Sequence, residues 1–163
     1  AASLILLHAL HAAMEGWMIM PIREAQITDL LEIARLCSQL GYDVSESEVW
    51  GRLRKILADR DHAVYVMEVS PNEIAGWVHV HGRHLIEAQS FAEIGGLVVD
   101  HPYRRKGIGE TLMRKCEEWA GKKGYREVRL RSGGHRKEAH AFYSSIGYQN
   151  TKWQQVFSLE LTE

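Results

Sequence analysis

The feature that most constrains this sequence is an apolar run that passes through a proline turn into a basic, glycine-containing segment. The apolar run predicts a strand, and the Gly-x-Gly that follows predicts the start of a helix. The first amides of a helix have no partner within it, and the helix dipole is positive at that end. A diphosphate would fit such a junction, where glycines let a ligand approach the backbone. The segment reads Leu97-Val98-Val99-Asp100-His101-Pro102-Tyr103-Arg104-Arg105-Lys106-Gly107-Ile108-Gly109-Glu110.

Other interpretations of these glycines compete with a phosphate site. The run Gly107-Ile108-Gly109 lacks the third glycine of a dinucleotide fingerprint. No Gly-Lys-Ser/Thr sequence is present to form a P-loop. Taken alone, the basic turn also fits a plain helix cap on a solvated surface. The choice between these interpretations therefore depends on the rest of the chain.

Length and composition place the chain among ordinary globular domains. Its 163 residues correspond to about one domain, and 45% hydrophobic with 25% charged residues exclude a disordered chain, collagen or a membrane bundle. A net charge of -1 argues against a dedicated nucleic-acid binder. Residues 1–100 carry a net charge of about -7 and residues 101–163 about +6, so a polyanionic ligand would bind the second part. Two solvated faces of opposite sign would give the same counts.

The first nineteen residues differ from the rest. They are apolar, contain two histidines and have no basic residue ahead of them, so they fit neither a signal peptide nor a membrane span. We expect residues 1–19 to be a leader or an upstream extension, with Met20 as the natural start, or an apolar helix packed on another surface. Cys37 and Cys116 are too few for a disulfide framework and predict reduced thiols in the cytoplasm.

The pattern of apolar residues from Met20 onward predicts one α+β domain with a mixed sheet. Thr28 or Asp29 is expected to cap a first helix that stops at Gly41, and Ser45 with Glu48 has the form of a capping box for a second. Further helices are expected at residues 108–121 and 139–146, the last ended by Gly147. Strands are expected at residues 20–25, 63–69, 74–81, 90–99, 127–131, 148–150 and 153–161.

Two motifs in order give the chain a resemblance to a known family. Arg104-Arg105-Lys106-Gly107-Ile108-Gly109 matches the Arg/Gln-x-x-Gly-x-Gly/Ala acyl-coenzyme A signature of the GNAT superfamily of N-acetyltransferases. Residues 139–148 resemble that family's Ala-x-x-Phe-Tyr-x-x-x-Gly-Phe/Tyr helix, and residues 97–102 resemble its central strand. Residues 20–25 with Asp29 resemble its opening strand and helix. The resemblance implies one GNAT domain over residues 20–163, of the three-layer α/β type. Its mixed, mostly antiparallel sheet would have about six to seven strands with a central splay, flanked by about four helices.

The resemblance also implies acetyl-CoA as cosubstrate and no metal. The pantetheine arm would pair with the backbone of residues 97–99 in the predicted strand, and the pyrophosphate would bind the amides of residues 105–109. Arg136 stands where many family members have an asparagine, so it either pairs with a phosphate or is a solvated residue of the first helical turn. The implied cofactor-binding set is Leu97, Val98, Val99, Arg104, Arg105, Lys106, Gly107, Ile108, Gly109 and Arg136.

The same resemblance implies direct acetyl transfer, which requires one group to protonate the leaving thiolate and another to take a proton from the amine. Tyr143 occupies the position of the family's catalytic tyrosine and would protonate the departing thiolate, although an aromatic pair on a helix is also typical of a core. The Val99 amide would stabilise the developing oxyanion. Glu93 has the same side-chain parity as Val99 and is the candidate base, with Glu87 or a water chain as alternatives.

His79 and His81 lie two apart on one strand, facing the same way as Trp77. They permit a two-ligand metal site, but the absence of an evident third ligand favours an exposed or acceptor-contacting strand face. The predicted function is a cytoplasmic N-acetyltransferase acting on a small cationic amine, with no nucleic-acid or membrane partner. A homodimer is expected. An acyl-CoA sensor without turnover and a protein N-acetyltransferase are the alternatives.

Overall fold

The computed structural model describes residues 21–162, which form two compact units, residues 21–130 and residues 131–162. The leader predicted at residues 1–19 lies outside the described residues. The first unit contains β1 Ile22–Glu24, α1 Leu30–Cys37, α2 Glu46–Ala58, β2 His62–Ser70, β3 Glu73–Arg83, β4 Phe91–Val99, α3 Ile108–Lys122 and β5 Val128–Leu130. The second unit contains α4 Lys137–Ser145.

The sheet of the first unit has the order β1-β2-β3-β4-β5, with only the β4–β5 pair parallel. A parallel pair needs a crossover connection, and α3 supplies it. The β4–β5 pairing joins Ala92–Ile94 to Val128–Leu130, whereas β4 itself continues to Val99. The second half of β4 therefore runs beyond its last partner in β5, and the expected splay stays a prediction.

Helices cover both faces of this sheet. Leu36 of α1 and Leu53 of α2 join one buried cluster with Val66 and Val98, whose side chains point to the same face. On the opposite face, α3 buries Leu112, Met113 and Cys116 completely, and it contacts β2, β3 and β4. A helix–sheet–helix sandwich of this kind confirms the expected three-layer fold.

Two helix starts differ in how they are capped. The Ser45 box forms as expected: Glu48 N donates to Ser45 Oγ at 3.2 Å, and Ser45 N donates to Glu48 Oε2 at 2.8 Å. Asp29 does not cap α1 through its side chain. Its buried carboxylate accepts instead from Gln26 N and binds the Arg23 guanidinium at 2.8 and 2.9 Å, which ties β1 to the turn before α1.

The strands expected at residues 148–150 and 153–161 do not form, so the described sheet has five strands rather than six to seven. Alternating apolar residues predict a strand only where a neighbour supplies hydrogen bonds and a face to cover. Here Trp153 is 79% exposed, and Phe157 is 87% exposed. The second unit therefore ends in a solvated segment that forms neither helix nor strand.

Neither cysteine in the described residues forms a disulfide; Cys37 is half-buried and Cys116 is buried. Burial raises the pKa of the Cys116 thiol to about 12, so it is an inert core group. Across residues 21–162, no helix combines the length and apolar character needed to cross a bilayer.

Candidate active site

The turn between β4 and α3 has the backbone shape of an anion-binding site. Gly107 is the N-cap of α3 with φ 79°, and Arg105 also adopts a left-handed conformation, with φ 62°. Left-handed residues in such a turn direct successive amides into a concavity that binds anions. The helical hydrogen bonds begin only at Thr111, whose N donates to Gly107 O at 3.0 Å, so the amides before it are the orphan donors of the helix start.

Arg104 is the one basic side chain of this turn that the structure ties to the strand. Its Nε donates to Val99 O at 3.0 Å, and its Nη2 donates to Gln39 Oε1 at 3.1 Å. Lys106 lies over the Tyr103 ring at 5.8 Å. Arg104 thus fixes the turn to the end of β4. Its direct contact with a phosphate stays a prediction.

The free edge of β4 presents alternate backbone groups. Asp100 N donates to Ala75 O of the segment leading from β3, at 2.7 Å. In an antiparallel ladder the amides alternate in direction, so Val98 points to β3, and Leu97 and Val99 point away from it. These two amides face the side where pairing with β5 has ended. Leu97 and Val99 therefore offer the edge groups that an extended ligand can pair with, while Val98 packs into the core.

Asp100 holds the end of this strand against α1, and the sequence alone did not single it out. It is 8% exposed and accepts from Gln39 Nε2 at 2.7 Å and Arg35 Nη2 at 3.0 Å. Burial by itself raises the pKa of Asp100, but Gln39 and Arg35 outweigh it and hold the pKa below its ordinary value. Asp100 is thus ionised and clamps the strand that leads into the glycine turn.

Glu93 lies on β4, 9% exposed, with Oε2 at 3.6 Å from Arg83 Nε. The expectation that it shares side-chain parity with Val99 is wrong, because a bulge intervenes. His79 pairs with Gly96 but the next residue, Val80, pairs with Ile94, so Gly95 is an extra residue in β4. One extra residue reverses the alternation, and Glu93 faces the side of its partner His81. Its role as a base stays a prediction.

The structure adds a third imidazole to the two that the sequence placed together. His62 of β2 pairs in register with His81, and its Nδ1 lies 2.9 Å from His79 Nε2. The three rings are stacked, with centroids 5.0 to 5.3 Å apart. Such stacked rings do not converge on one point, and within residues 21–162 no cluster of three or more His, Cys, Asp or Glu could hold a metal ion. Only the pairing of β2 with β3 shows that His62 lies beside His79 and His81, because these residues are far apart in sequence.

Tyr143 and Arg136 lie in the second unit, on α4 and at its start. The Tyr143 ring contacts Phe142 at 5.2 Å and Tyr148 at 6.2 Å between centroids. Burial raises the pKa of the Tyr143 phenol, and the Arg136 charge opposes this only in part. The phenol is therefore protonated at neutral pH. Arg136 is exposed at the N-cap of α4 and makes no capping bond through its side chain.

The family model for the acetyltransferase (GNAT) family matches residues 27–148. This range contains the glycine turn, the free edge of β4 and α4. The chain belongs to the GNAT family of acetyltransferases. The family and enzyme class predicted from the two motifs are therefore confirmed: this is a GNAT N-acetyltransferase.

Individual relatives agree with this assignment. The chain is 26% identical over 144 residues to an aminoglycoside N(6')-acetyltransferase type 1 of Stenotrophomonas maltophilia, covering 86% of this chain and 93% of the relative. It is 32% identical over 91 residues to the aminoalkylphosphonate N-acetyltransferase of Salmonella typhimurium, covering 55% of this chain and 59% of the relative. It matches 28% of the length of an N-acetyltransferase of Methanocaldococcus jannaschii, at 41% identity over 64 residues. Some relatives are thus considerably longer than the matched part.

Solved structures share the fold. The crystal structure of an aminoglycoside 6'-N-acetyltransferase from Acinetobacter haemolyticus superposes with a TM-score of 0.77 at 22% identity, covering 88% of this chain and 100% of that chain. A related aminoglycoside acetyltransferase, solved with a CoA-containing bisubstrate analogue, gives a TM-score of 0.77 at 18% identity over 87% of this chain and 99% of that chain. At these identities the likeness establishes the fold.

Proposed function

We propose that the protein transfers the acetyl group of acetyl-CoA directly to a primary amine of a small cationic molecule within a ternary complex. The observation that carries the proposal is the pair of left-handed residues at the start of α3, Arg105 and Gly107, directly after a strand edge that β5 leaves unpaired. This arrangement combines a phosphate-binding turn with a strand edge for an extended arm. It is the arrangement that a nucleotide-bearing thiol carrier requires.

The residues of this turn fit CoA on steric grounds. A Cβ at Gly107 would meet no atom within 4 Å, so no other group fills the space beside this residue of the turn. The amides of residues 105–109 would hold the pyrophosphate, and those of Leu97 and Val99 would pair with the pantetheine arm. Arg104, Lys106 and, from the second unit, Arg136 would add positive charge. When bound, acetyl-CoA supplies an acetyl group activated as a thioester.

Two groups of this chain would act on the reacting atoms. The Val99 amide would donate to the acyl oxygen as negative charge builds there. The Tyr143 phenol, which stays protonated at neutral pH, would supply a proton at its hydroxyl to the leaving sulfur. Glu93 remains the proposed base or its positioning partner.

The cationic acceptor is supported by charge and by the named relatives. Residues 1–100 carry the acidic excess of the chain. We propose that the segment from Tyr42 to Trp50, in which both of these large side chains are exposed, lines the acceptor cleft. The acetyltransferases of S. maltophilia and S. typhimurium are named for amine substrates. We therefore expect the acceptor KM to rise with salt, because salt screens charge attraction.

The test measures CoA binding by calorimetry and then acetyl-CoA consumption with spermidine, neamine, lysine, 2-aminoethylphosphonate and an unstructured peptide. Binding with turnover of a small amine supports the proposal, and a KM insensitive to salt or a preference for neutral amines contradicts the cationic acceptor. Binding without turnover of any amine would make the protein a sensor. Preference for the peptide would make it a protein acetyltransferase.

We also propose a cytoplasmic homodimer. The free thiols of Cys37 and Cys116 fit a reducing compartment. Along the C-terminal segment, the large apolar side chains of Trp153, Phe157 and Leu159 are 79% to 87% exposed. Apolar sets of this size mark interfaces, and a second copy carries the same unpaired segment, so the two can cover each other by symmetry.

A further inference from the structure

The stacked histidines His62, His79 and His81 lie on the sheet face that carries Glu93, beside the bulge that precedes the free edge of β4. A Cβ at Gly95 would lie 2.5 Å from His79 Nδ1, so the imidazole occupies the space that this glycine leaves open. Gly96 is likewise covered by the Trp77 ring, at 3.0 Å from its Cβ position. The Nδ1 atom of His79 therefore lies against the bulge, two residues before Leu97.

The other nitrogen of His79 connects to the surface. His79 Nε2 lies 2.9 Å from His62 Nδ1, and His62 Nε2 lies 3.8 Å from Asp59 Oδ2, whose side chain is 56% exposed. His62 itself is 27% exposed. The two rings therefore link a half-buried nitrogen beside β4 to a solvated carboxylate just after α2.

His79 is neutral at physiological pH. Burial lowers its pKa to about 4, helped by the neighbouring imidazoles of His81 and His62. The carboxylate on the same face, Glu93, is paired with Arg83. His81 Nδ1 lies 3.0 Å from the carbonyl oxygen of Gly82, and the His81 ring stacks on the other two imidazoles. A neutral imidazole has one nitrogen with a lone pair and one with a proton, which are the two groups that a proton relay needs.

We propose that His79 takes the proton of the acceptor ammonium at Nδ1 and passes its own Nε2 proton through His62 to solvent beside Asp59. The N–H bonds of the ammonium, of His79 Nε2 and of His62 Nε2 break; N–H bonds form at His79 Nδ1 and His62 Nδ1, and one proton enters water. Both rings recover their starting tautomers by exchange with water. His79 then takes the place of Glu93 as the proton acceptor, and His62 relays the proton to solvent.

A second observation on the same face supports a ligand here. Among residues 21–162, the indole Nε1 of Trp77 is buried and has no hydrogen-bond partner. A buried donor without a partner is costly, so the native protein normally satisfies it. A ligand oxygen that reached Nε1 on this face of the sheet would provide that partner. The inference rests on the proposed function, because it assumes that the amine meets the acetyl group at this part of β4.

The experiment separates this inference from the proposed function. Calorimetry with CoA alone tests the cofactor site. If the unaltered protein does not bind CoA, the proposed function is overturned. For the relay, His79→Gln, His62→Asn and the matched control His84→Asn are compared at pH 6 to 9 with the fastest amine of the panel. His84 is an exposed loop residue bound to Asp61 and lies outside the proposed relay. All three variants should bind CoA as the unaltered protein does.

We expect His79→Gln to lower kcat about a hundredfold at pH 7, and His62→Asn about tenfold, because acid–base groups contribute factors of this size. Both deficits should shrink as the pH approaches the pKa of the amine, since a neutral amine needs no base. Imidazole should partly restore His79→Ala. The kcat of His84→Asn should stay within twofold of that of the unaltered enzyme. If the His79 and His62 variants keep a kcat within twofold of the unaltered enzyme from pH 6 to 9, the relay is overturned.

A readout independent of turnover is the tautomer of His79. Long-range ¹⁵N–¹H spectra of the whole protein with CoA should show neutral His79 at pH 7, protonated at Nε2 and unprotonated at Nδ1. A proton on Nδ1, or a charged His79 at this pH, would overturn the inference even if the protein binds CoA and acetylates amines.

Discussion

Arg104 Nε donates to Val99 O at 3.0 Å, which joins the basic turn to the strand end that is proposed to bind the acyl group. The same guanidinium reaches Gln39 of the turn after α1. The contact gives this arginine a structural task that its neighbour Arg105 does not share, because Arg105 contributes through its left-handed backbone.

Arg104→Ala should therefore weaken CoA binding about tenfold, since two hydrogen bonds that position the strand end are lost. Arg105→Ala is the matched control and should change the affinity less than threefold, because its amide is retained. Calorimetry at a fixed salt concentration measures both. An equal loss in the two variants would show that charge alone binds the cofactor.

Gly107→Ala should destabilise the protein by about 1–2 kcal/mol and weaken CoA binding, because φ 79° is unfavourable for a residue with a Cβ. Gly121→Ala is the control in the same helix: its Cβ also meets nothing within 4 Å, and its φ is not positive. That variant should be about 0.5–1 kcal/mol more stable. Urea unfolding measures both, and a stabilised Gly107→Ala would contradict the argument.

Tyr143→Phe should retain the fold and CoA binding while kcat falls about a hundredfold, because the leaving sulfur loses its acid. Burial raises the pKa of the phenol, so the acid stays protonated past its ordinary value near ~10 and the alkaline limb of kcat should lie above that pH. Tyr148→Phe, which alters the ring packed edge-on against Tyr143, is the control and should stay within threefold. A Tyr143→Phe enzyme of normal kcat would exclude the phenol as acid.

Asp29→Asn should cost about 2–3 kcal/mol at pH 7, because the variant leaves the Arg23 guanidinium without its bidentate partner. Burial alone raises the pKa of Asp29, but Arg23 and the Gln26 amide outweigh it and the pKa lies below its usual value. A lowered pKa stabilises the fold above the unfolded-state pKa and loses that effect as the pH falls through the folded-state value.

The difference in unfolding free energy between the unaltered protein and Asp29→Asn should accordingly be constant from pH 5 to 8 and disappear below about pH 4. Urea unfolding at pH 7 and pH 3 measures it, with Glu46→Gln in the first turn of α2 as the control at less than about 0.5 kcal/mol. A difference that widens in acid would contradict the ion-pair explanation.

Phe157→Asp combined with Leu159→Asp should convert the proposed homodimer into a monomer, because both are exposed apolar side chains of the C-terminal segment. Ser158→Asp is the control: it adds a charge between the two positions without removing an apolar side chain, and it should leave the dimer intact. Sedimentation equilibrium distinguishes the two. A protein that is monomeric before any substitution would contradict the dimer itself.

Local pattern was sufficient for most elements and for the glycine turn. The Ser45 capping box, the neighbouring strands expected at residues 63–69 and 74–81, and the start of α3 depend on residues close in sequence, and each forms where expected. The late strands were wrong because a strand requires a partner elsewhere in the chain. The same limitation hid Asp100, whose importance comes from Arg35 of α1 and Gln39 of the turn after it.

By itself the sequence determined the family, the helix start that favours phosphate and the positions of Tyr143 and the glycines, because these depend on residue type and short spacing. Only the tertiary structure decided which side chains meet. The extra residue Gly95 turns Glu93 to the face opposite Val99, and strand pairing brings His62 to His79. A one-residue bulge reverses every side chain beyond it, and contacts across 17 residues depend on register, so neither can be read from local periodicity.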